Sequence, residues 1–348
     1  LDSKWLLKKA AVRSGMTSSK DLGEITLSTF RGENGPLVKE VRKVVDWFKQ
    51  HGTPDVILLS TIMLAGIGKV LKRELNIPVY GFLQGEDSFL DSLLPEYKNQ
   101  AWKLLSADVR QLNGCLAPSR YFGELMTGRL GLDSTQVQYY SNGITTQGIT
   151  PVEKPPTVPA LGFLARLCPL KGLDILVDAF IILKKSKKYS GLRLEVAGGM
   201  TDEDKPFVDE QKKKLRKAGY FESSAFHPNI EREEKLSFLK NLSVFSVPSR
   251  YPEAFGLYVI EALAAGTPVV LPHSGAFPEI VEDTQGGVIY ENNDPPTLAQ
   301  SIEQLLDDPE GSKKIGLHGH NQVIQNYSNE SLANSLIDNI LAPALTNS

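Results

Sequence analysis

The chain has 348 residues, of which 41% are hydrophobic and 23% are charged, a composition typical of a folded globular protein. This length exceeds what one hydrophobic core normally supports, so it predicts two domains. The net charge of −3 is too small to indicate nucleic-acid binding. No apolar run approaches the ~20 residues that a membrane-spanning helix needs.

The charge is divided unevenly along the chain, with +3 on residues 1–150 and −6 on the remainder. A mildly positive N-terminal half is compatible with peripheral contact to an anionic membrane surface or an anionic acceptor, and equally with an ordinary solvated surface. Cys115 and Cys168 lie beside apolar residues on strand-like segments, which favours buried thiols over a disulfide. We therefore expect a cytoplasmic protein, with the inner face of the membrane as an alternative location.

Short apolar strands alternate with amphipathic helices along the whole chain, which predicts an α/β fold with parallel sheets built from βαβ units. Four prolines between residues 151 and 159 disfavour helix and central strand, so this segment is predicted to be a stiff linker. We predict an N-terminal domain at 1–150, a linker at 151–159 and a second domain at 160–328. A C-terminal helix within 329–348 either packs toward the first domain or stays on the second. The predicted strands are 55–60, 79–83, 114–118, 160–164, 192–197, 244–247, 268–271 and 286–290.

Two cations, Arg166 and Lys171, follow the first predicted strand of the second half in a loop that leads into a helix. Open parallel sheets bind ligands beyond the carboxyl ends of their strands, where both side chains would emerge. Arg166 can make a forked contact with phosphate and Lys171 can act as a point charge. Together they could replace a metal ion in neutralising a departing diphosphate. The alternative is a pair of solvated loop cations.

The triplet Asp202-Glu203-Asp204 has the Asp-x-Asp form of a metal motif. It is followed by Lys205 and Pro206 and then by a basic helix, which indicates a surface connection with acidic residues near a helix start. The five histidines form no set with the spacing of metal ligands. We therefore predict no metal and no other cofactor.

Two glutamates flank the start of a short helix that is predicted to begin near Phe255 or Gly256 and to stop at Gly266. If the whole interval were helical, Glu253 and Glu261 would lie about 12 Å apart along the helix axis. The two carboxyls of a glycosidase are only about 5–9.5 Å apart, so this spacing suits opposite ends of an extended ligand.

The start of this helix also offers free amide groups, which together with the helix dipole favour bound phosphate oxygens. Glu261 is the one charge in an otherwise apolar helix, and burying it without hydrogen-bond donors would cost several kcal/mol. It therefore meets donors such as a ribose diol, or else is a half-exposed structural carboxylate.

These segments resemble the retaining glycosyltransferases of family 4, which have the GT-B fold. The sequence Ala165-Arg166-Leu167 with Lys171-Gly172 is similar to the Gly-Arg-Leu and Lys-Gly loop of that family, and Glu253 and Glu261 have the spacing of its Glu-x7-Glu motif. The resemblance extends over roughly residues 50–345. It implies two Rossmann-like domains with parallel sheets that face across a cleft, and the donor site in the second domain.

The resemblance also implies a role for each motif residue. Arg166 and Lys171 would bind the diphosphate of a nucleotide sugar, Glu253 would approach the transferred sugar and Glu261 would hold the ribose. The implied catalytic residues are Glu253, Arg166 and Lys171, and the implied donor-binding residues are Arg166, Lys171, Ile230, Glu253, Phe255, Gly256, Leu257 and Glu261.

Three features depart from the family pattern. Ala165 replaces the glycine before the arginine, and Gln84 stands where the family usually has a histidine after the strand at 79–83. Gln84 can still bind a sugar hydroxyl, and Glu86 or Asp87 could meet a saccharide, lipid-linked or small-molecule acceptor, or all three could form a solvated loop. As a third departure, we expect this sequence to lack the family's first strand and glycine-rich loop. A nucleotide-sugar epimerase and a catalytically silent nucleotide-sugar-binding protein remain the alternative functions.

Overall fold

The structure is a computed structural model that describes residues 18–152 and 156–343. The chain divides into two compact units. Of the described residues, those up to Tyr140 and those from Ser335 onward form one unit, and those between Ser141 and Asn334 form the other.

The first unit is built on four parallel strands in the order β1-β2-β3-β4. Ile57 lies opposite Val79 and Tyr80 lies opposite Gly114 in the register of the sheet. Helices cover this sheet and bury apolar side chains that include Leu59. The strands are β1 Ile57–Leu59, β2 Val79–Phe82, β3 Gly114–Ala117 and β4 Val137–Tyr139, and the helices are α1 Ser19–Phe30, α2 Val38–His51, α3 Ala65–Leu75, α4 Glu86–Ser92, α5 Pro95–Val109 and α6 Arg120–Leu130.

The second unit contains six parallel strands in the order β10-β9-β8-β5-β6-β7. Counted from its own first strand this order is 6-5-4-1-2-3, the doubly wound Rossmann arrangement, in which the direction of winding reverses between β5 and β8. The strands are β5 Ala160–Leu164, β6 Arg193–Gly198, β7 Ser224–Pro228, β8 Val244–Phe245, β9 Val269–Pro272 and β10 Gly287–Tyr290.

Helices of the second unit pack against this sheet because their apolar residues fall on the faces that meet it. Phe180 and Leu263 are fully buried in one continuous core with strand residues such as Phe163. The helices are α7 Leu173–Lys184, α8 Lys205–Ala218, α9 Arg232–Lys240, α10 Leu257–Ala264, α11 Phe277–Thr284, α12 Pro295–Asp307, α13 Pro309–Asn326 and α14 Asn329–Leu336.

The predicted strands all occur, with bounds that differ by up to two residues. Two strands were not predicted. β4 has the sequence Val-Gln-Tyr, too short and too polar to show an apolar run, and β7 is an edge strand whose last two residues are exposed. Edge strands bury less surface, so they show weaker apolar patterns.

The boundary between the units falls ten residues before the predicted start of the linker. The segment after Tyr140 belongs to the second unit because its backbone is hydrogen-bonded there. Ile144 donates to the carbonyl of Tyr327, and Val152 donates to the carbonyl of Ala265. Part of the predicted linker, residues 153–155, lies outside the described residues.

The last described segment belongs to the first unit. After α14 the chain continues as a π-helical turn, Ile337–Leu341, and the side chain of Ile340 is buried with Tyr80 and Leu116 of the first sheet. The predicted helix at 329–341 is thus helical over its whole length, with π-helical geometry from Ile337, and Ile340 within it contacts the face of β2 and β3.

The two cysteines are free thiols. Cys115 lies in β3, where burial raises the pKa of its thiol to about 12. Cys168 lies in a loop rather than on a strand, because the chain turns immediately after β5. Within 18–152 and 156–343, no helix is both long and apolar enough to cross a bilayer.

Candidate functional site

Arg166, Lys171 and Glu253 lie on the connections that follow β5 and β8, two neighbouring strands of the second unit. Leu161 of β5 lies opposite Val244 of β8, and both strands are parallel. Their carboxyl ends therefore meet at one edge of the sheet, at the position where winding reverses and where such sheets bind ligands. The two loops are joined directly, since the amide of Arg250 donates to the carbonyl of Leu170 at 2.8 Å.

Lys171 and Glu253 form an ion pair across these two loops. Their side chains are 24% and 12% exposed, so the pair is largely buried but still reaches solvent. The hydroxyl of Ser249 donates to the same Glu253 oxygen, Oε1, at 2.9 Å. Lys171 Nζ also lies 5.7 Å from the centre of the Tyr258 ring. The structure therefore brings together two of the predicted catalytic residues, and it adds Ser249 as a contact that sequence reasoning missed.

A second ion pair links the Glu253 loop to the start of α7, the helix that follows the Lys171 loop. Both terminal nitrogens of Arg250 donate to the carboxylate of Asp174, at 2.7 and 2.6 Å, and Nη1 also donates to the carbonyl of Pro169. Burial alone would raise the pKa of Asp174, but hydrogen bonds from Arg250 outweigh it and lower that pKa. Asp174 thus remains ionised, and the clamp holds the Lys171 loop against the Glu253 loop. Arg250 and Asp174 lie close to the motif residues in sequence, yet the sequence pattern predicted no role for them.

The backbone of Glu253 is held by a third loop, which follows β9. Gly275 has a φ of +58°, and a Cβ built on it would lie 2.4 Å from the amide nitrogen of Glu253. The next residue, Ala276, donates its amide to the Glu253 carbonyl at 2.9 Å. Only glycine permits this approach, so Gly275 helps to set the position of the Glu253 main chain.

Arg166 is paired with Asp204, a residue that the sequence pattern assigned to a surface connection. Its Nε and Nη2 atoms donate to the two carboxylate oxygens of Asp204, at 3.4 and 3.3 Å. The prediction that residues 202–204 are a mere surface connection is wrong for Asp204. Burial alone would raise the pKa of this carboxyl, but hydrogen bonds from Thr201 and Arg166 outweigh it and lower that pKa.

The helix after Glu253 begins later than predicted. Its first residue is Leu257, and Gly256 precedes it with a φ of +110°, a value that glycine adopts without strain. The side chain of Phe255 is buried. The interval from Glu253 to Gly256 is therefore not helical, so the predicted 12 Å spacing does not apply. The first amides of the helix lack partners within it, as at any helix start.

Glu261 lies in the second turn of this helix and accepts a hydrogen bond from Lys235 Nζ. The two side chains line a cavity of about 610 Å³ together with Ile230 and Leu257. We predicted that hydrogen-bond donors would surround Glu261. The ammonium group of Lys235 supplies at least one of them. Lys235 was not identified from the sequence, because it lies on a different helix with no motif around it.

The acceptor-side candidates of the first unit differ in exposure. Glu86 is 5% exposed, and its two oxygens accept from the Thr61 hydroxyl and the Gln84 amide, both at 2.7 Å. Burial raises the pKa of Glu86 above its ordinary value, and the charge of Asp87 adds to this. Asp87 is also buried, whereas Gln84 is exposed.

The alternative of a solvated acidic loop is therefore wrong for Glu86 and Asp87. Gly85 has a φ of +91° and turns the chain into α4, whose first residues point inward. Their predicted contact with an acceptor, like that of Gln84, stays a prediction. Among the described side chains, no group of three or more histidine, cysteine, aspartate or glutamate residues could hold a metal ion.

The second unit also matches a known family in sequence. The sequence model of the family described as glycosyl transferases group 1 matches residues 149–322, half of the chain. The chain belongs to this family. The matched region contains every predicted donor-site residue, from Arg166 to Glu261.

Curated relatives of this group 1 member match it over part of their length. A D-inositol 3-phosphate glycosyltransferase of Streptomyces avermitilis is 32% identical over 156 residues, which are 44% of this chain and 33% of the relative. A GDP-mannose-dependent alpha-(1-6)-phosphatidylinositol monomannoside mannosyltransferase of Mycolicibacterium smegmatis is 29% identical over 175 residues, 49% of this chain and 44% of the relative. The match thus spans less than half of either relative.

Solved structures extend the likeness to both units. HepE of Anabaena, in complex with UDP, gives a TM-score of 0.73 at 18% identity and covers 91% of this chain and 84% of its own. Sucrose-phosphate synthase from Thermosynechococcus elongatus gives 0.72 at 20% identity, with 90% and 80% covered. The predicted GT-B fold, with two parallel-sheet α/β domains, is confirmed.

Proposed function

We propose that this group 1 member is a retaining glycosyltransferase of family 4 that moves a sugar from a nucleotide diphosphate donor to an acceptor hydroxyl. The observation that carries the proposal is the ion pair of Lys171 and Glu253 at the reversal point of the second sheet. A cation there can meet a leaving diphosphate, while the carboxylate beside it faces the sugar that the diphosphate carries. The names of the relatives, which are glycosyltransferases, support the same reaction class.

In the proposed reaction the bond between the anomeric carbon and the diphosphate oxygen breaks, and its electron pair stays on the diphosphate. The acceptor oxygen bonds to the same carbon from the same face, and its proton passes to the departing diphosphate. Arg166 and Lys171 stabilise the negative charge that develops on the leaving group. Glu253 stabilises the positive charge that develops on the sugar. No metal ion is needed in this scheme, because the two cations supply the charge.

The remaining donor contacts follow from the geometry of α10. The first amides of this helix, near Gly256 and Leu257, would bind phosphate oxygens, which the helix dipole favours. Glu261 would accept from the ribose hydroxyls inside the cavity of about 610 Å³, and Ile230 would lie against the base. Among the structural neighbours, HepE is a complex with UDP, and one relative is named as dependent on GDP-mannose. We propose a nucleotide diphosphate sugar as donor and a saccharide, lipid-linked or small-molecule acceptor.

The proposal is tested by a screen of nucleotide sugars, followed by transfer assays. Thermal shift and calorimetry identify the donor, since a ligand at 100 times its dissociation constant adds about 2.7 kcal/mol to the free energy of unfolding. Transfer to a panel of acceptors, with the product anomer read by NMR, then tests the reaction and its retention of configuration. Binding without transfer or hydrolysis would indicate a silent binding protein, and interconversion of the donor sugar would indicate an epimerase.

The same assay tests the metal-free scheme. After chelation with EDTA we expect turnover to stay within about twofold of the untreated protein, because the charge at the leaving group comes from Arg166 and Lys171. Loss of turnover in EDTA that magnesium or manganese restores would contradict this.

A further inference from the structure

The buried carboxylate of Asp204 contacts Arg166, the arginine that is predicted to bind the diphosphate. The side chain of Asp204 is 6% exposed and that of Arg166 is 56% exposed. Both carboxylate oxygens face the Nε and Nη2 edge of the guanidinium. The Nε and Nη2 edge of Arg166 thus contacts an anion, while more than half of its side chain remains exposed.

Asp204 is itself held firmly. Its Oδ2 atom accepts from the amide of Thr201 at 2.9 Å and from the Thr201 hydroxyl at 2.8 Å. Although burial acts to raise the pKa of Asp204, hydrogen bonds of this kind outweigh it, so the carboxylate stays ionised at neutral pH. An acid fixed in this way can act as a rigid support for a long, flexible arginine side chain.

The loops that carry the two residues are also joined through their backbones. Leu167 donates its amide to the carbonyl of Gly199 at 2.8 Å. Gly198 has a φ of +138°, and a Cβ built on it would lie 1.8 Å from the carbonyl oxygen of Ala165. The ends of β5 and β6 therefore approach each other closely, which sets the distance between Arg166 and Asp204.

A guanidinium has five N–H groups in one plane. The contacts with Asp204 use the Nε group and one hydrogen on Nη2, which leaves three N–H groups outside the pair. We propose that Asp204 is a positioning residue, which fixes the plane of Arg166 so that these three groups meet the diphosphate of the donor. This inference rests on the proposed function, and it assigns Asp204 a part in the reaction.

A purely structural role for Asp204 makes a different prediction, because the residue also caps the helical turn that it forms with Thr201. Asp204→Asn keeps an oxygen that can accept from the Thr201 amide, but it loses the charge that holds the guanidinium. Asp308→Asn is the matched control. Asp308 accepts from the amide of Gly311 at the start of a different helix, α13.

The first measurement is a double-mutant cycle on turnover. We expect Asp204→Asn to lower kcat about tenfold in the parent, since a misplaced catalytic group loses much of its effect. In an Arg166→Ala background the same change should lower kcat less than about twofold, because the two residues act as one unit. Asp308→Asn should leave kcat unchanged. Equal losses in both backgrounds, or no loss in the parent background while Arg166→Ala is strongly impaired, would overturn the inference.

The second measurement does not depend on catalysis. The NMR signal of the Arg166 Nε–H group, assigned by its loss in Arg166→Lys, should be sharp and protected from exchange in the parent. It should broaden or vanish in Asp204→Asn and persist in Asp308→Asn. An unchanged signal in Asp204→Asn overturns the inference. If Arg166→Ala keeps full turnover, the proposed role of Arg166 fails instead, and the NMR result still decides whether Asp204 orients it.

Discussion

Two glutamates that follow buried parallel strands differ in how their charge is met. Glu253, after β8 of the second unit, is paired with Lys171 from another strand's loop and with a serine hydroxyl. Glu86, after β2 of the first unit, accepts from two neutral groups, the Thr61 hydroxyl and the Gln84 amide. Burial raises the pKa of Glu86.

The comparison shows that position after a strand does not by itself make a reactive carboxylate. Glu253 is paired with a cation from a different loop at the proposed donor site, where a carboxylate can stabilise positive charge. Glu86 accepts hydrogen bonds from neutral groups, and these bonds stabilise the turn at Gly85. Changes at these carboxylates and around them test whether this division of roles holds, and we expect the largest effect at Glu253.

Glu253→Gln should lower turnover at least about 100-fold, because it removes a charge that acts in the transition state. Affinity for the nucleotide diphosphate product should stay nearly unchanged, since Glu253 is predicted to face the sugar. Kinetics and product calorimetry must be measured separately, because turnover alone mixes ground-state and transition-state losses. Glu86→Gln is the matched change in the first unit. If it lowered turnover more than Glu253→Gln does, the assignment of the reactive role to Glu253 would be wrong.

Glu261 extends the comparison to a third carboxylate, which is paired with Lys235. Glu261→Gln should weaken both donor and free nucleotide by about 1–3 kcal/mol, the usual cost of an unsatisfied buried partner. The loss should be smaller for a 2′-deoxynucleotide, which has one ribose hydroxyl fewer to bind. Calorimetry with both nucleotides checks this, and equal losses would place Glu261 away from the ribose.

Gly275→Ala tests whether the position of the Glu253 main chain matters. The added Cβ would meet the Glu253 backbone, so we expect turnover to fall about tenfold. Gly219→Ala is the control, because Gly219 has a φ of +80° and a Cβ added there would have no atom within 4 Å. Both changes should cost about 1–2 kcal/mol of stability through left-handed backbone strain. Gly275→Ala should cost more than Gly219→Ala, because its added Cβ also meets the Glu253 backbone. A similar loss of turnover in Gly219→Ala would show that strain alone is responsible.

The smallest effect concerns the pH dependence of stability. Because the pKa of Glu86 is raised above 4.5, the folded protein binds this proton more tightly than the unfolded chain does. The stabilisation is complete below 4.5 and is lost as pH rises through the raised pKa. Glu86→Gln removes this pH-dependent loss of stability. In urea titrations, the free energy of unfolding of the variant should therefore rise relative to the parent as pH increases from 4.5 through the raised pKa.

Glu33 of the same unit supplies a control for which the change of stability with pH has the opposite sign. A hydrogen bond from Arg73 lowers the pKa of Glu33 below 4.5. Its stabilisation is present above 4.5 and is lost as pH falls through the lowered pKa. The free energy of unfolding of Glu33→Gln should therefore fall relative to the parent as pH rises from the lowered pKa to 4.5. Parallel trends for the two variants would show that one of the two carboxyls does not behave as its contacts imply.

Much of the fold could be predicted from sequence because buried parallel strands are continuous apolar runs, as in β5 and β9. The sequence also predicted that Lys171 and Glu253 belong to one candidate site, and the structure brings these two residues into contact. The supporting contacts of this site could not be predicted in the same way. Asp204 and Lys235 lie far from the motifs in sequence, and only the order of the strands and the packing of the helices bring them to Arg166 and Glu261.

The acceptor-side prediction shows a second limit. An acidic loop after a strand can be solvated or can turn inward, and the two outcomes have the same sequence pattern. The left-handed turn at Gly85 and the donor at Thr61 decide between them, and Thr61 lies 25 residues earlier in the chain than Glu86. Contacts between distant residues of this kind are set by tertiary packing, which local propensity does not specify.

The first unit is assembled from two stretches of chain, and this affects how it folds during synthesis. Ile340 covers Tyr80 and Leu116, yet it leaves the ribosome only after the whole stretch from Ser141 to Asn334 has been made. At about 5–20 residues per second, that stretch takes about 10–40 s to translate. During this time Tyr80 and Leu116 lack the apolar contact with Ile340 that completes their cluster in the folded first unit.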